Sequence, residues 1–127
     1  QTAKPISPHT DPHWMLLFID ADGDHRTGWQ GYDFLVNRAV QDESTTALER
    51  NSGGEWQWEP VGLVQYKAAD NKLELRIPRE LLALAKNSPV AFEFHWADNM
   101  QKEGDIIEFA VSGDSAPNRR FNYRYGK

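Results

Sequence analysis

Residues 13–40 read HWMLLFIDADGDHRTGWQGYDFLVNRAV, and their order of apolar and polar stretches decides the fold. Residues 13–20 (HWMLLFID) are apolar almost throughout, which predicts a strand covered on both faces, at the middle of a sheet. Residues 21–31 are polar and glycine-rich, and predict a loop. Residues 32–40 (YDFLVNRAV) alternate as a second strand.

Outward from this core, residues 1–12 hold three prolines and no period, and read as an extended lead-in. A weaker strand is expected over 45–50, a turn at 51–54 (NSGG), and a strand over 55–59 (EWQWE) with Trp56 and Trp58 on one face. Residues 63–67 and 72–77 predict a hairpin across 68–71. Pro78 opens a short helix over 79–86 (RELLALAK), where proline is well placed in the first turn. Residues 90–96 (VAFEFHW) predict a strand and 97–104 a loop. Residues 105–111 (DIIEFAV) are ambiguous between strand and short helix. Residues 113–118 read as a turn and 120–125 (RFNYRY) as a last strand. About eight short strands spaced about 8–12 residues apart, with one short helix, predict an all-β protein. The expected architecture is an antiparallel, jelly-roll-like β-sandwich rather than βαβ units.

The chain has 127 residues, enough for a single domain over 1–127 with a real hydrophobic core. Its formal net charge of −5, without a basic stripe, argues against nucleic acid and anionic membranes as partners. Neutral sugars or cations suit it better. No apolar run reaches the length of a membrane span. Absence of cysteine removes thiolate nucleophiles and cysteine-based zinc sites. The chain does not begin with Met and reads as a mature or excised piece.

The sharpest local signal is Asp20-Ala21-Asp22-Gly23-Asp24, continued by Thr27-Gly28 and Gly31-Tyr32-Asp33. Carboxylates at alternate positions beside a glycine converge when the loop curls. Together without a cation they repel, and calcium, which takes six to eight hard oxygens in irregular geometry, removes the penalty. The spacing is not that of an EF-hand: glycine falls at loop position four, and position twelve is Gly31 rather than glutamate. The plainer reading is a surface turn in which Asp and Gly satisfy backbone groups.

Trp14, Trp29, Trp56, Trp58 and Trp96 are candidates for stacking on a pyranose ring, Trp29 being the one expected to be exposed because its loop is polar. For any single Trp, core packing is the commoner role. The histidines lack metal-ligand spacing, and no catalytic motif of serine hydrolases, metalloproteases or dinucleotide enzymes occurs. Glu93, Asp98, Glu103 and Glu108 could serve a glycosidase, but no spacing singles out a pair.

Three stretches, WMLLFIDADGDHRTGWQGYDFLVNR (14–38), LELRIPRELL (73–82) and FEFHWADNMQKEGDIIEF (92–109), with GDSAPNRRFNYRY (113–125) as a closing strand, resemble the family 9 carbohydrate-binding modules and related modules of bacterial polysaccharide-degrading proteins. The resemblance implies a β-sandwich with structural calcium, held here by Asp20, Asp22, Asp24 and Asp98. It implies a non-catalytic role in binding carbohydrate beside a catalytic domain such as a glycoside hydrolase, in an extracellular, periplasmic or cell-surface setting. Trp14, Trp29, Asn37, His95 and Trp96 are the sugar-face candidates it suggests, with only one of His95 and Trp96 able to face the ligand. Asn37 matches a family asparagine that contacts sugar. Leu16 and Leu35 stand where polar contacts are expected, and His95 where an amide would be. Such modules begin with strands this chain lacks, so either the chain is shortened or an open sheet edge supports self-association. Three alternatives stand beside this reading: a small glycoside-processing enzyme using Glu93 or Asp98, a structural spacer packed on a catalytic domain, and a haem-binding sandwich using Met15, Met100 and His95.

Overall fold

The computed structural model describes Thr10 and residues 14–84, 90–98, 104–109, 114–116 and 122–126. The fold is mostly antiparallel β-sheet, curled into a half barrel. The strands are β1 (Leu16–Asp20), β2 (Phe34–Val40), β3 (Thr45–Asn51), β4 (Trp58–Ala69), β5 (Lys72–Arg76), β6 (Ala91–Asp98), β7 (Asp114–Ala116) and β8 (Tyr123–Gly126). They join in one sheet of order β5-β4-β3-β2-β1-β6-β7, with β8 beside β7 along the same edge of β6.

All five residues of β1 are buried, as its unbroken apolar run predicts for a central strand. One face carries Leu16 and Phe18 with Leu35, Trp29, Tyr32, Trp58 and Ala97. The other carries Leu17 and Ile19 with Phe34, Val36, Leu48, Val64 and Leu82. The register with β6 sets Phe18 opposite His95 and Asp20 opposite Glu93, and so fixes which side chains meet at the end of β1.

Two irregularities shape the curl. Asn37 has φ of 75° where the β2–β3 register shifts, and its buried side chain donates to the Met15 carbonyl oxygen at 2.8 Å. Pro60 lies opposite Glu49 where the β3–β4 register shifts, as expected for a residue with no N–H to give the ladder. Buried Glu49 is met by Arg38 in two parallel bonds, Nε to Oε1 at 3.0 Å and Nη2 to Oε2 at 2.6 Å.

Several local expectations change. Residues 55–57 are not strand; β4 starts at Trp58 and runs through what reads as two strands, because Pro60 bends the ladder without breaking it. Trp56 and Trp58 do share one side, in edge-to-face contact at 5.5 Å. The helix expected over 79–86 is a single 3-10 turn (Arg79–Leu82), ended by Ala83 in the left-handed region. Leu81, Leu82 and Leu84 all pack on the second apolar cluster. The ambiguous stretch 105–111 holds a 3-10 turn (Ile106–Phe109), and the turn expected over 113–118 contains β7. The lead-in at 1–9 and 11–13 lies outside the described residues.

Phe18 is fully buried at the crossing of the β1 register and the aromatic contacts above it, whereas Leu63 on β4 is 62% exposed. Phe18→Ala is expected to cost about 3–5 kcal/mol. Leu63→Ala is expected to change stability by no more than about 0.5 kcal/mol. Urea unfolding of the two variants, followed by tryptophan fluorescence, checks the contrast.

Candidate cation-binding corner

The connection from β1 to β2 folds back over one sheet face, and local chemistry holds it there. Trp29 and Tyr32 exchange backbone hydrogen bonds at 2.9 and 2.8 Å around Gln30 and Gly31, both at positive φ, the geometry of a type I′ turn. Gly28 has φ of +68°, and a Cβ there would lie 1.9 Å from the Tyr32 carbonyl oxygen, so only glycine fits. Trp29 and Tyr32 pack on Phe18 at 5.5 and 5.3 Å, and Trp56 closes on Trp29 edge-to-face at 4.6 Å. This aromatic roof leaves the acidic half of the loop standing at the end of β1.

Asp20, Asp22 and Asp33 each place a carboxylate oxygen within 4.8 Å of the other two. Asp20 Oδ1 accepts the Gly23 N–H at 2.8 Å, and Asp33 Oδ2 accepts the Ala21 N–H at 2.9 Å. The Thr27 hydroxyl lies 2.8 Å from Asp22 Oδ2, 2.9 Å from the Asp24 carbonyl oxygen and 3.0 Å from Asp33 Oδ1. One hydroxyl hydrogen cannot serve three acceptors, so the corner has more lone pairs than donors. Asp20 is 1% exposed, and its Oδ2 meets no hydrogen-bond donor. Burial, with the neighbouring Asp22 and Asp33 carboxylates, pushes the Asp20 carboxyl up to about 6. Burial also raises Asp33. Both shifts mark a place where negative charge is poorly compensated by protein alone.

A second group shares Asp20. His25, from the loop, and Glu93, from β6, bring a ring nitrogen and a carboxylate oxygen within 4.8 Å of each other and of an Asp20 oxygen. The hydrogen bond to Glu93 raises the His25 pKa, and those from Asn122 and His25 lower Glu93.

The expected calcium set of Asp20, Asp22, Asp24 and Asp98 is only partly brought together. Asp24 turns outward to Arg26, with Oδ1 to Nε at 2.9 Å and Oδ2 to Nη2 at 3.0 Å, and this pairing holds its carboxyl down at about 2. Asp98 lies at the far end of β6, one residue past the Leu16–Ala97 pair and at the opposite end of β1 from Asp20, where its Oδ1 accepts the Met15 N–H at 3.0 Å. Asp33 joins Asp20 and Asp22 instead, while His25 and Glu93 meet Asp20 as a separate group. Asp33 was legible as part of the same acidic run, but Glu93 is 73 residues from Asp20 and reaches it only through the antiparallel register.

The sugar-face candidates are dispersed. Trp29, expected to be exposed, is 4% exposed because it roofs Phe18. His95 is fully buried on that same face, under Tyr32. Trp96 points to the opposite face, half-buried, as alternation requires. Trp14 is buried against Tyr66 at 5.4 Å, and Asn37 is committed to the Met15 carbonyl. The exposed large aromatics among the described residues are Tyr123 and Tyr125 on β8. Their rings lie over Phe94 at 5.6 Å and Phe92 at 5.2 Å, the latter pair stacked. Of the residues that a haem reading would need, Met100 lies outside the described residues.

The titration of Asp20 gives a signed test. Its folded-state value of about 6 stands above the ordinary 3.8, so its contribution to stability is full when protonated and fades as pH rises from about 4 through about 6. A divalent cation reverses this by favouring the carboxylate. Thermal melts with and without millimolar calcium are expected to coincide near pH 4 and to separate above about pH 6, with the calcium-loaded protein melting higher. Asp20→Asn is expected to remove both the calcium response and the pH-dependent loss. Melts that ignore calcium at every pH contradict the assignment.

The chain matches no protein-family model, no curated protein and no solved structure, which leaves the chemistry of its own residues to speak for its function.

Proposed function

We propose that the chain is a non-catalytic carbohydrate-binding module of a polysaccharide-processing protein, its acidic corner held in shape by calcium. The observation that carries the calcium half is Asp20: a buried carboxylate with a donor-poor oxygen, beside two more carboxylates on a flexible-geometry oxygen surface of the kind calcium accepts. Asp20, Asp22 and Asp33 would be the side-chain ligands, and the ion would supply charge neutralisation and nothing else. It would pin both ends of the β1–β2 connection, since Asp20 ends β1 and Asp33 precedes β2.

The carbohydrate half rests on the likeness to family 9 modules and on the character of the surface. Tyr123 and Tyr125, alternate residues on β8 and about half exposed, offer two flat faces on one side of the sheet, backed by Phe94 and Phe92. Aromatic faces of this kind bury the apolar C–H faces of pyranose rings at little conformational cost. Trp14, Trp29, Asn37, His95 and Trp96 support the sheet beneath rather than the ligand in this reading. The jelly-roll-like sandwich and the extracellular, periplasmic or cell-surface setting belong to the same proposal.

A glycan array with and without a calcium chelator tests it. Binding to a polysaccharide is expected, weakened on chelation, and lost in Tyr123→Ala/Tyr125→Ala with the melting temperature nearly unchanged. Absence of binding to any glycan contradicts the carbohydrate half and favours the spacer reading, and turnover of a glycoside favours the enzyme reading.

A further inference from the structure

We propose that Asp20, His25 and Glu93 form a second cation site, selective for a first-row transition ion of the zinc class rather than for calcium. The site goes beyond the calcium reading, since His25 and Glu93 play no part in that ion's coordination.

The argument starts from the proton inventory. His25 Nε2 lies 3.1 Å from Glu93 Oε2 and 3.6 Å from Asp20 Oδ2. Only the first distance is a hydrogen bond. Protonating His25 therefore satisfies Glu93 and leaves Asp20 Oδ2, buried beyond nine-tenths, still without a donor. No assignment of the imidazole proton serves both carboxylates. A metal ion seated between the three atoms serves all of them at once.

The spacing fits a tetrahedral ion. Ligand bonds of about 2.0–2.1 Å give ligand-to-ligand separations of about 3.4 Å, and the two edges from His25, 3.1 Å to Glu93 and 3.6 Å to Asp20, bracket that value, with the third edge within 4.8 Å. An imidazole nitrogen with two carboxylates is a donor set for zinc and its neighbours, whereas calcium takes oxygen. His25 is 68% exposed, so the fourth position faces water.

An outer shell is also in place. Asn122 Nδ2 donates to Glu93 Oε2, the oxygen that also meets His25, at 3.2 Å, and the Tyr32 hydroxyl donates to Asn122 Oδ1 at 2.6 Å, so the carboxylate is held in place by neighbouring side chains. The ion would staple the β1–β2 connection to β6 and, through Asn122, to the start of β8, the strand that carries the exposed tyrosines.

Zinc chloride titrated calorimetrically into chelator-treated protein near neutral pH, together with cobalt substitution, decides the matter. One zinc is expected to bind, and cobalt is expected to show the intense visible bands of a four-coordinate site. His25→Gln and Glu93→Gln, both at positions with solvent access, are each expected to weaken zinc by at least about tenfold and to abolish the cobalt bands, with circular dichroism unchanged. Calcium binding, followed separately, is expected to survive His25→Gln and to be weakened by Asp22→Asn, so that the two readings fail separately. Zinc affinity that stays within about twofold in both His25→Gln and Glu93→Gln, or cobalt spectra of an octahedral aquo-like ion, would overturn the site.

Discussion

A carboxylate buried at the end of the central strand is the constraint on which the rest of the molecule depends. Asp20 follows four apolar residues into the sheet, and the backbone that buries them buries it too. Gly23 satisfies one of its oxygens, and the other meets no donor. A buried carboxylate in that condition either keeps a proton or acquires a cation. The side chains that surround it are Asp22, Asp33, His25 and Glu93, which are the groups a cation would use. Moving the strand to expose Asp20 would pull Phe18 from beneath the aromatic roof, so the strain cannot be relieved by a small shift.

The aromatic roof accounts for why the loop reads as polar yet carries buried tryptophan. Trp29 is flanked by glycine and glutamine in sequence, and its burial comes from the type I′ turn that lays it on Phe18 and from Trp56, which arrives from the β3–β4 connection. The same packing fixes Tyr32, whose hydroxyl then holds Asn122 and through it Glu93. Apolar packing on one side of the loop thus sets the geometry of the charged groups on the other.

What was legible in the sequence follows from range. β1, β2 and the Ala68–Asn71 hairpin region rest on local pattern and are found where the pattern places them, and of the acidic run Asp20, Asp22 and Asp33 converge while Asp24 turns away. The unbroken β4 was not legible, since Pro60 reads as a breaker unless the bulge opposite Glu49 is known. The composition of the corner was half legible. Asp20, Asp22 and Asp33 belong to one segment, whereas Glu93 joins through a register that no local pattern encodes, and Asp98 was drawn in by likeness although the antiparallel ladder carries it to the other end. The exposure expected of Trp29 was misread for a related reason: a polar loop suggests access, and only tertiary contacts decide whether the ring is covered.

The central claim is that the Asp20 corner is completed by a cation. A crystal structure of the protein grown in calcium tests it most directly, by anomalous difference density at that corner. The account predicts a peak about 2.3–2.6 Å from oxygens of Asp20, Asp22 and Asp33. A well-ordered corner with no peak, its carboxylates turned apart and Asp20 Oδ2 bonded to water, would contradict it.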